Sequence, residues 1–192
     1  MQSNYTKILE DKNKIEISDI LLLRRFTLDD AKDVYEYASD EETVQYLTWP
    51  SHKSLEQTEN VLQKFYISNT GTYAIIEQKK NKCIGSLGIT ADYEDDRVSF
   101  GIVINKLYQH LGYGTQILKA ALRLSFEEIN AEYAEAEHMK GNENSGRMML
   151  KCGMQYVGNG ELDIQECRSQ TLKYMMKRKD WFNIKKYSVT LN

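Results

Sequence analysis

The sequence is poor in proline and has no long apolar run. Pro50 is the only proline among the 192 residues, and no linker, repeat or low-complexity tract divides the chain. No uninterrupted apolar stretch approaches the ~20 residues that a membrane helix requires, and the N-terminus lacks the apolar region of a signal peptide. We therefore expect one globular domain, cytoplasmic in location and without a membrane partner.

Cysteine and histidine are equally sparse. The three cysteines, Cys83, Cys152 and Cys167, have no paired spacing, which argues against both a disulfide framework and a zinc knuckle. The three histidines stand singly, without the i, i+4 pairing of a zinc-binding helix. The sequence therefore predicts reduced thiols and no metal site.

Neither sign of charge dominates. Lysine and arginine total 25 against 28 aspartate and glutamate, and the net charge is -3. This balance provides no basic face for bulk nucleic-acid binding, so we expect no direct nucleic-acid partner. The hydrophobic fraction of 41% is sufficient for a core of its own.

Apolar periodicity predicts a mixed α/β sheet with helices on its faces. The predicted order is one strand, two helices, three strands, a helix, a strand, a helix and two strands. The three central strands, 72–78, 83–93 and 97–104, are joined by short turns, which predicts antiparallel pairing. Capping boxes are predicted at the starts of the first two helices, at Thr27 and Ser54.

The two ends of the chain are more polar than its middle. We predict that residues 19–180 form the domain, that residues 1–18 are an N-terminal extension and that residues 181–192 are a C-terminal tail.

The loop YQHLGYGT, residues 108–115, separates an apolar run from a predicted helix. Gly112 and Gly114 leave backbone N–H groups uncovered at the helix N-terminus, where the helix dipole favours an anion such as phosphate. Glycines in such a loop often serve only to make a turn. A dinucleotide fingerprint would need a third glycine at Ile117, and a P-loop would need Gly-Lys-Ser/Thr, so both are disfavoured.

A second motif lies one predicted strand further on. Residues 109–114 fit the pattern Q/R-x-x-G-x-G/A. Residues 142–145 with 151–154 fit N-x-x-S followed by K-x-G-F, with Met154 in place of the phenylalanine. In these two motifs the chain resembles the GNAT superfamily of N-acetyltransferases. The segments LLLRRFTLDDA and FGIVINKLYQHLGYGT are most similar to the ribosomal-protein N-terminal (alanine/serine) acetyltransferase branch.

The resemblance implies a fold and a co-substrate. The expected fold is a mixed central sheet of about six to seven strands flanked by about four helices, with a splayed strand pair forming an acetyl-CoA cleft. The loop amides would hold the pyrophosphate of acetyl-CoA, and the pantetheine arm would pair with the preceding strand. The residues so assigned to acetyl-CoA are Ile102, Val103, Ile104, Gln109, His110, Leu111, Gly112, Tyr113, Gly114, Thr115, Asn142 and Ser145.

The resemblance also implies catalytic roles. Many relatives supply a proton donor for the leaving thiolate from a tyrosine at the position of Met149, so that role is not carried over. In the ribosomal-protein branch the motif serine, here Ser145, takes this role, and the alternative is that Ser145 caps the following helix. The branch places a glutamate base some twenty residues later; the nearby candidates are Glu161, Asp163 and Glu166, of which Glu161 is preferred. The alternative is that all three are solvated loop charges.

Two further features bear on the acceptor side. His138 stands where the family usually has an apolar residue, so it is either a hydrogen-bonded core histidine or a base. The segment EETVQYLTWPSHKS, residues 41–54, is predicted to shape the acceptor pocket.

The resemblance implies an acetyl-CoA-dependent N-acetyltransferase. Its acceptor would be a primary amine, either a protein N-terminus or a small amine, that attacks the thioester directly in a ternary complex. The alternative is a non-catalytic acyl-CoA-binding sensor or scaffold module. The apolar, aromatic C-terminal stretch is compatible with a homodimer.

Overall fold

The computed structural model describes residues 2–164 and 167–189, and within them eight strands form one sheet. The strands are β1 (Lys14–Glu16), β2 (Leu21–Arg24), β3 (Thr72–Glu77), β4 (Lys82–Asp92), β5 (Arg97–Ile104), β6 (Tyr133–Met139), β7 (Gln155–Ile164) and β8 (Cys167–Lys177). The helices are α1 (Gln2–Asp11), α2 (Ala31–Ala38), α3 (Glu41–Val44), α4 (Leu55–Val61), α5 (Tyr113–Arg123), α6 (Glu143–Lys151) and α7 (Arg178–Val189). Single π-helical stretches extend α4 through Leu62–Ile67 and α5 through Leu124–Ile129.

The strand order across the sheet is β1-β2-β3-β4-β5-β6-β8-β7. Every neighbouring pair is antiparallel except β5 and β6, which are parallel. A parallel pair requires a crossover, and α5 supplies it between β5 and β6. The predicted antiparallel pairing of the three central strands is confirmed.

Helices cover both faces of the sheet. One face packs against α5 and α6, and the other packs against α2 and α4. Alternation along β5 separates the two sides: Val103 belongs to the α2–α4 cluster, whereas Ile102 and Ile104 pack on the α5 side. The mixed α/β fold predicted from periodicity is therefore confirmed.

Local sequence signals account for the helix starts. The Ser54 hydroxyl caps α4 by accepting the backbone N–H of Gln57 at 3.1 Å, and the Gln57 side chain accepts the backbone N–H of Lys53 at 2.7 Å. The Asp30 carboxylate accepts the backbone N–H of Thr27 at 2.8 Å, so the chain enters α2 through one short 3₁₀ turn. The predicted capping box at Thr27 is therefore present, whereas at Ser54 the cap is present but the Gln57 side chain bonds Lys53, one residue before the cap.

The ends of the chain differ from the predicted extension and tail. In the described residues, α1 and β1 precede residue 18, and β1 pairs with β2. Leu9 and Ile15 are buried in the same cluster as β3 and α5. Trp181, at the start of the predicted tail, is buried in α7 against Phe126. Burial of these few apolar side chains ties both ends to the core and accounts for α1, β1 and α7, which were not predicted. Helix α3, in the middle of the chain, was not predicted either.

None of the helices in the described part of the chain is both long and apolar enough to cross a membrane.

Candidate functional site

The site is built at the point where β5 and β6 separate. Their pairing extends from Arg97 opposite Tyr133 to Phe100 opposite Ala136 and goes no further. Beyond Phe100 the two strands diverge and leave a cleft of about 560 Å³. We call this opening the β5–β6 cleft. Its walls are the C-terminal half of β5, the loop before α5, the first turns of α5 and α6, and residues 42–47 around α3.

The free edge of β5 offers backbone hydrogen-bonding groups to the cleft. The backbone N–H of Asn105 donates to the Ile84 carbonyl at 2.8 Å, across the β4–β5 pair. Since polar groups alternate in direction along an antiparallel strand, those of Val103 also point to β4, and those of Ile102 and Ile104 point to the cleft. The exposed edge can therefore pair with an extended ligand as an additional strand would.

The first turn of α5 opens onto the same cleft. Gly112 is the N-cap, with φ of 79°, and neither a side-chain cap nor an acidic residue occupies this helix start. The first amides of a helix have no intrahelical acceptor, so these N–H groups are available to an anion. A Cβ atom at Gly112 would meet nothing within 4 Å, so glycine is required here by the left-handed backbone, and the space beside it is open.

Two contacts fix this loop in place. The Gln109 side-chain amide donates to the carbonyl of Ile104 at 2.9 Å, which ties the loop to the end of β5. A Cβ atom at Gly114 would lie 2.7 Å from the Met148 sulfur, so the absence of a side chain lets α5 approach α6 closely. The predicted loop residues therefore converge with the predicted strand residues on one cleft, except for Leu111, which is exposed and does not line it.

Asn142 and Ser145 lie across the cleft from the loop. The Asn142 side-chain oxygen accepts the backbone N–H of Ser145 at 3.4 Å, and Asn142 is the N-cap of α6. The interpretation of Ser145 as the cap is therefore wrong, because Asn142 already fills that position. The Ser145 hydroxyl lines the cleft and has no hydrogen-bond partner within residues 2–164 and 167–189. It is free to act on a bound ligand.

Met149 stands where many relatives have a tyrosine proton donor, and it does not line the cleft. It is 4% exposed and packs with Leu118 and Leu122 of α5. A thioether has no proton to donate, so Ser145 is the α6 residue that offers a hydroxyl group to the cleft.

The predicted base is not brought to the cleft. Glu161 lies in the edge strand β7, opposite Gln170, and its carboxylate forms an ion pair with Arg168 at 2.5 Å. It does not line the cleft. For Asp163 only the backbone, in β7, is described, and Glu166 lies outside the described residues. The carboxylates that do line the cleft are Glu42 and Glu143.

His138 is buried under the first turn of α6. Its Nδ1–H donates to the carbonyl of Met139 at 2.8 Å, so in the neutral ring Nε2 carries a lone pair. Nε2 is buried without a hydrogen-bond partner in the described part of the chain. A Cβ atom at Gly146 would lie 2.8 Å from it, and the ring stacks on Tyr174. Since His138 does not line the cleft, the structure favours a core histidine over a base.

Several cleft residues were not identified from the sequence. Arg147 and Met148 on α6 and Lys106 after β5 line the cleft outside the two motifs. Lys106 hydrogen-bonds the Asp40 carboxylate at 2.6 Å, and this bond is the main reason why the pKa of Asp40 is lowered. Helical spacing places Arg147 and Met148 within a turn of Ser145, which was an available signal, whereas the partner of Lys106 is distant in sequence.

Comparison with known proteins finds acetyltransferases that are similar to this chain in sequence and in fold. The chain is 28% identical over 138 residues to an uncharacterized N-acetyltransferase, YnaD, of Bacillus subtilis (strain 168), covering 72% of this chain and 81% of that protein. A GNAT-family acetyltransferase from Bacillus anthracis superimposes with a TM-score of 0.77 at 23% identity, over 86% of this chain and 99% of the other. Spermidine N-acetyltransferase from Vibrio cholerae, solved with CoA and spermine, gives 0.72 at 16% identity, over 86% and 99%.

The family assignment rests on most of the chain. Residues 21–155, which contain strands β2 to β6, match the acetyltransferase (GNAT) domain family. The chain therefore belongs to the GNAT acetyltransferase domain family and is an acetyltransferase that uses acetyl-CoA as its co-substrate.

Proposed function

We propose that this acetyltransferase moves the acetyl group of acetyl-CoA to a primary amine, either a protein N-terminus or a small amine. The amine attacks the thioester directly while both substrates are bound. The observation that carries this proposal is the opening between β5 and β6 after Phe100, directly beside the uncapped first turn of α5. One cleft thus combines an anion site with a free strand edge.

The cofactor is assigned to the α5–α6 face of the cleft. Its pyrophosphate would accept hydrogen bonds from the amides of the loop 109–115, where no protein carboxylate competes in the first turn of α5. The pantetheine arm would run along the free edge of β5, bonded to the backbone of Ile102 and Ile104. Lys151 and Arg147 of α6 add positive charge to the cleft.

The remaining groups match the needs of acyl transfer. Attack on the thioester creates a tetrahedral oxyanion, and the backbone N–H of Ile102 on the free edge is placed to stabilise it. The C–S bond then breaks, and CoA leaves as a thiolate. We assign to Ser145 the hydroxyl that donates a hydrogen bond to this thiolate, because it faces the cleft and has no other partner among the residues that the structure describes.

The amine must lose a proton, because only its neutral form is a nucleophile. Glu161 is ion-paired on the edge strand β7, so we assign proton removal to the cleft-lining carboxylates Glu42 and Glu143 and the water around them.

The acceptor class draws on relatives and motifs. A structurally similar protein is named a spermidine N-acetyltransferase, which supports a small amine. The loop and strand segments similar to the ribosomal-protein branch support a protein N-terminus.

The test is release of free CoA from acetyl-CoA, followed with a thiol reagent across peptides with different N-termini, polyamines, amino acids and aminoglycosides. Two protein thiols will contribute little background, because burial raises the pKa of Cys83 to about 12 and that of Cys152 to about 11. We expect CoA release that depends on one class of amine. Acetyl-CoA binding without amine-dependent release from any acceptor would favour a sensor or scaffold module instead.

A further inference from the structure

The β5–β6 cleft passes through the sheet and opens on both of its faces. The features assigned to acetyl-CoA lie on the α5–α6 side. The opposite mouth is lined by residues around α3, including Glu42, Tyr46 and Leu47. Leu47 packs in the α2–α4 cluster with Val103, which places this segment on the other face of the sheet. An acceptor can therefore reach the thioester from the α3 side without displacing CoA.

The α3 segment is held firmly beside the cleft. Asp40 caps α3 by accepting the backbone N–H of Thr43 at 2.8 Å. The Lys106 ammonium group binds the same carboxylate at 2.6 Å, which fastens α3 to the chain just after β5. Val44 is buried, and the backbone N–H of Leu47 donates to its carbonyl at 2.8 Å. The position of Tyr46 is thus fixed from both sides.

From this position Tyr46 crosses the mouth of the cleft. A Cβ atom added at Gly141, in the loop before α6, would lie 3.7 Å from both Cε1 and the hydroxyl oxygen of Tyr46, so the end of the Tyr46 ring lies beside this glycine. The aromatic ring therefore joins the α3 wall to the β6–α6 wall. Its hydroxyl has no hydrogen-bond partner in the part of the chain that the structure describes.

We infer that Tyr46 is the gate of the acceptor mouth: its ring limits which amines reach the thioester and keeps bulk water away from it. This inference rests on the proposed transfer to an amine. The gate favours a slender primary amine that presents its nitrogen first, because a branched group beside the nitrogen would meet the ring. Exclusion of water protects the thioester from hydrolysis to acetate and CoA.

The test compares wild type with Tyr46→Ala, Tyr46→Phe and Phe182→Ala. Phe182 is a half-exposed aromatic residue on α7, outside the cleft, and serves as the matched control. For Tyr46→Ala we expect amine-independent release of CoA from acetyl-CoA to rise about tenfold, since water then reaches the thioester. The KM of the acceptor that wild type uses should rise by a similar factor, with the Kd of acetyl-CoA unchanged. Tyr46→Phe keeps the ring and should retain low hydrolysis, as should Phe182→Ala.

The outcomes separate this inference from the proposed function. If Tyr46→Ala leaves both hydrolysis and the acceptor KM unchanged, the gate is overturned, whatever wild type acetylates. Weakened acetyl-CoA binding in Tyr46→Ala, to the same extent as the loss of activity, would also overturn it, because the ring would then serve the cofactor. If wild type acetylates no amine and Tyr46→Ala still hydrolyses acetyl-CoA faster, the proposed amine acceptor fails and the water-excluding gate is supported.

Discussion

Two helices, α5 and α6, begin on opposite sides of the same cleft and differ in how their first turns are capped. Helix α6 is capped by the side chain of Asn142 and carries Glu143 in its first turn. Helix α5 begins at Gly112 with no side-chain cap and no acidic residue. Both ends present the positive pole of a helix dipole, but only α5 leaves that pole uncompensated.

The difference assigns separate tasks to the two helices. An unfilled helix start binds an anion, so α5 suits the pyrophosphate of acetyl-CoA. A filled start is a rigid support, so α6 holds the Ser145 hydroxyl at the cleft without needing the ligand to complete its first turn. Capping chemistry thus distinguishes a ligand site from a scaffold when both are helix N-termini.

A carboxylate placed at the start of α5 should have the largest effect on the binding of acetyl-CoA. In Gly112→Asp a carboxylate would compete with the pyrophosphate, so we expect the Kd of acetyl-CoA to rise at least about 100-fold, or roughly 2.7 kcal/mol. Isothermal titration calorimetry measures this change.

Gly112→Ala is the control. Like Gly112→Asp, it places a side chain on a left-handed backbone, which costs about 1–2 kcal/mol of stability, but it adds no charge. Its Kd should change far less than that of Gly112→Asp. Equal weakening in both variants would mean that loop conformation, rather than an open anion site, governs binding.

On the α6 side, Ser145→Ala removes the proposed donor without disturbing the cap. We expect kcat to fall about tenfold, less than the roughly 100-fold or more typical of general acids, because a CoA thiolate is already a good leaving group. Calorimetry should give a Kd for acetyl-CoA close to that of wild type. Ser68→Ala, at an exposed serine that bonds the carbonyl of Lys64, is the matched control. Unchanged turnover in Ser145→Ala would leave α6 as a scaffold alone.

The sequence predicted the α5 side of this comparison better than the α6 side. Two glycines after an apolar strand predict an open turn, because glycine is the residue that adopts φ of 79° without strain. For α6 both Asn142 and Ser145 are good caps, and propensity alone does not rank them. The choice depends on where β6 ends, which is decided by its pairing with β8.

The edges of the fold were less predictable for a related reason. The β7–β8 hairpin extends much further than its apolar segments, through the polar, glycine-containing run around Asn159 and Gly160, because ladder pairing with β8 carries it. Among the residues of α1 and β1 whose burial is described, Leu9 and Ile15 are buried, too few to give a periodic signal in a polar segment. The distant position of Glu161 likewise follows from β7 lying at the sheet edge, which spacing from Ser145 does not encode.

Removing the cap of α6 should make it resemble α5. Asn142→Ala is expected to lower the free energy of unfolding by about 1 kcal/mol, the usual value of an N-cap, as measured by urea denaturation. Turnover should fall by about threefold, since Ser145 is less firmly held. Ser54→Ala removes the cap of α4, which does not line the cleft, and should cost similar stability with no change in turnover. If both variants lose turnover equally, the cap of α6 has no special part in catalysis.

The smallest effect is expected from Glu161→Gln, which tests whether groups beyond the two helix starts contribute to the chemistry. Its ion pair with Arg168 is half exposed on the edge strand, so its loss should change stability by less than about 1 kcal/mol. The pH profile of kcat/KM should keep its alkaline-rising limb, because the carboxylates that line the cleft are Glu42 and Glu143. Loss of that limb would require β7 to approach an acceptor site, and the α5 and α6 starts would then no longer account for the active site.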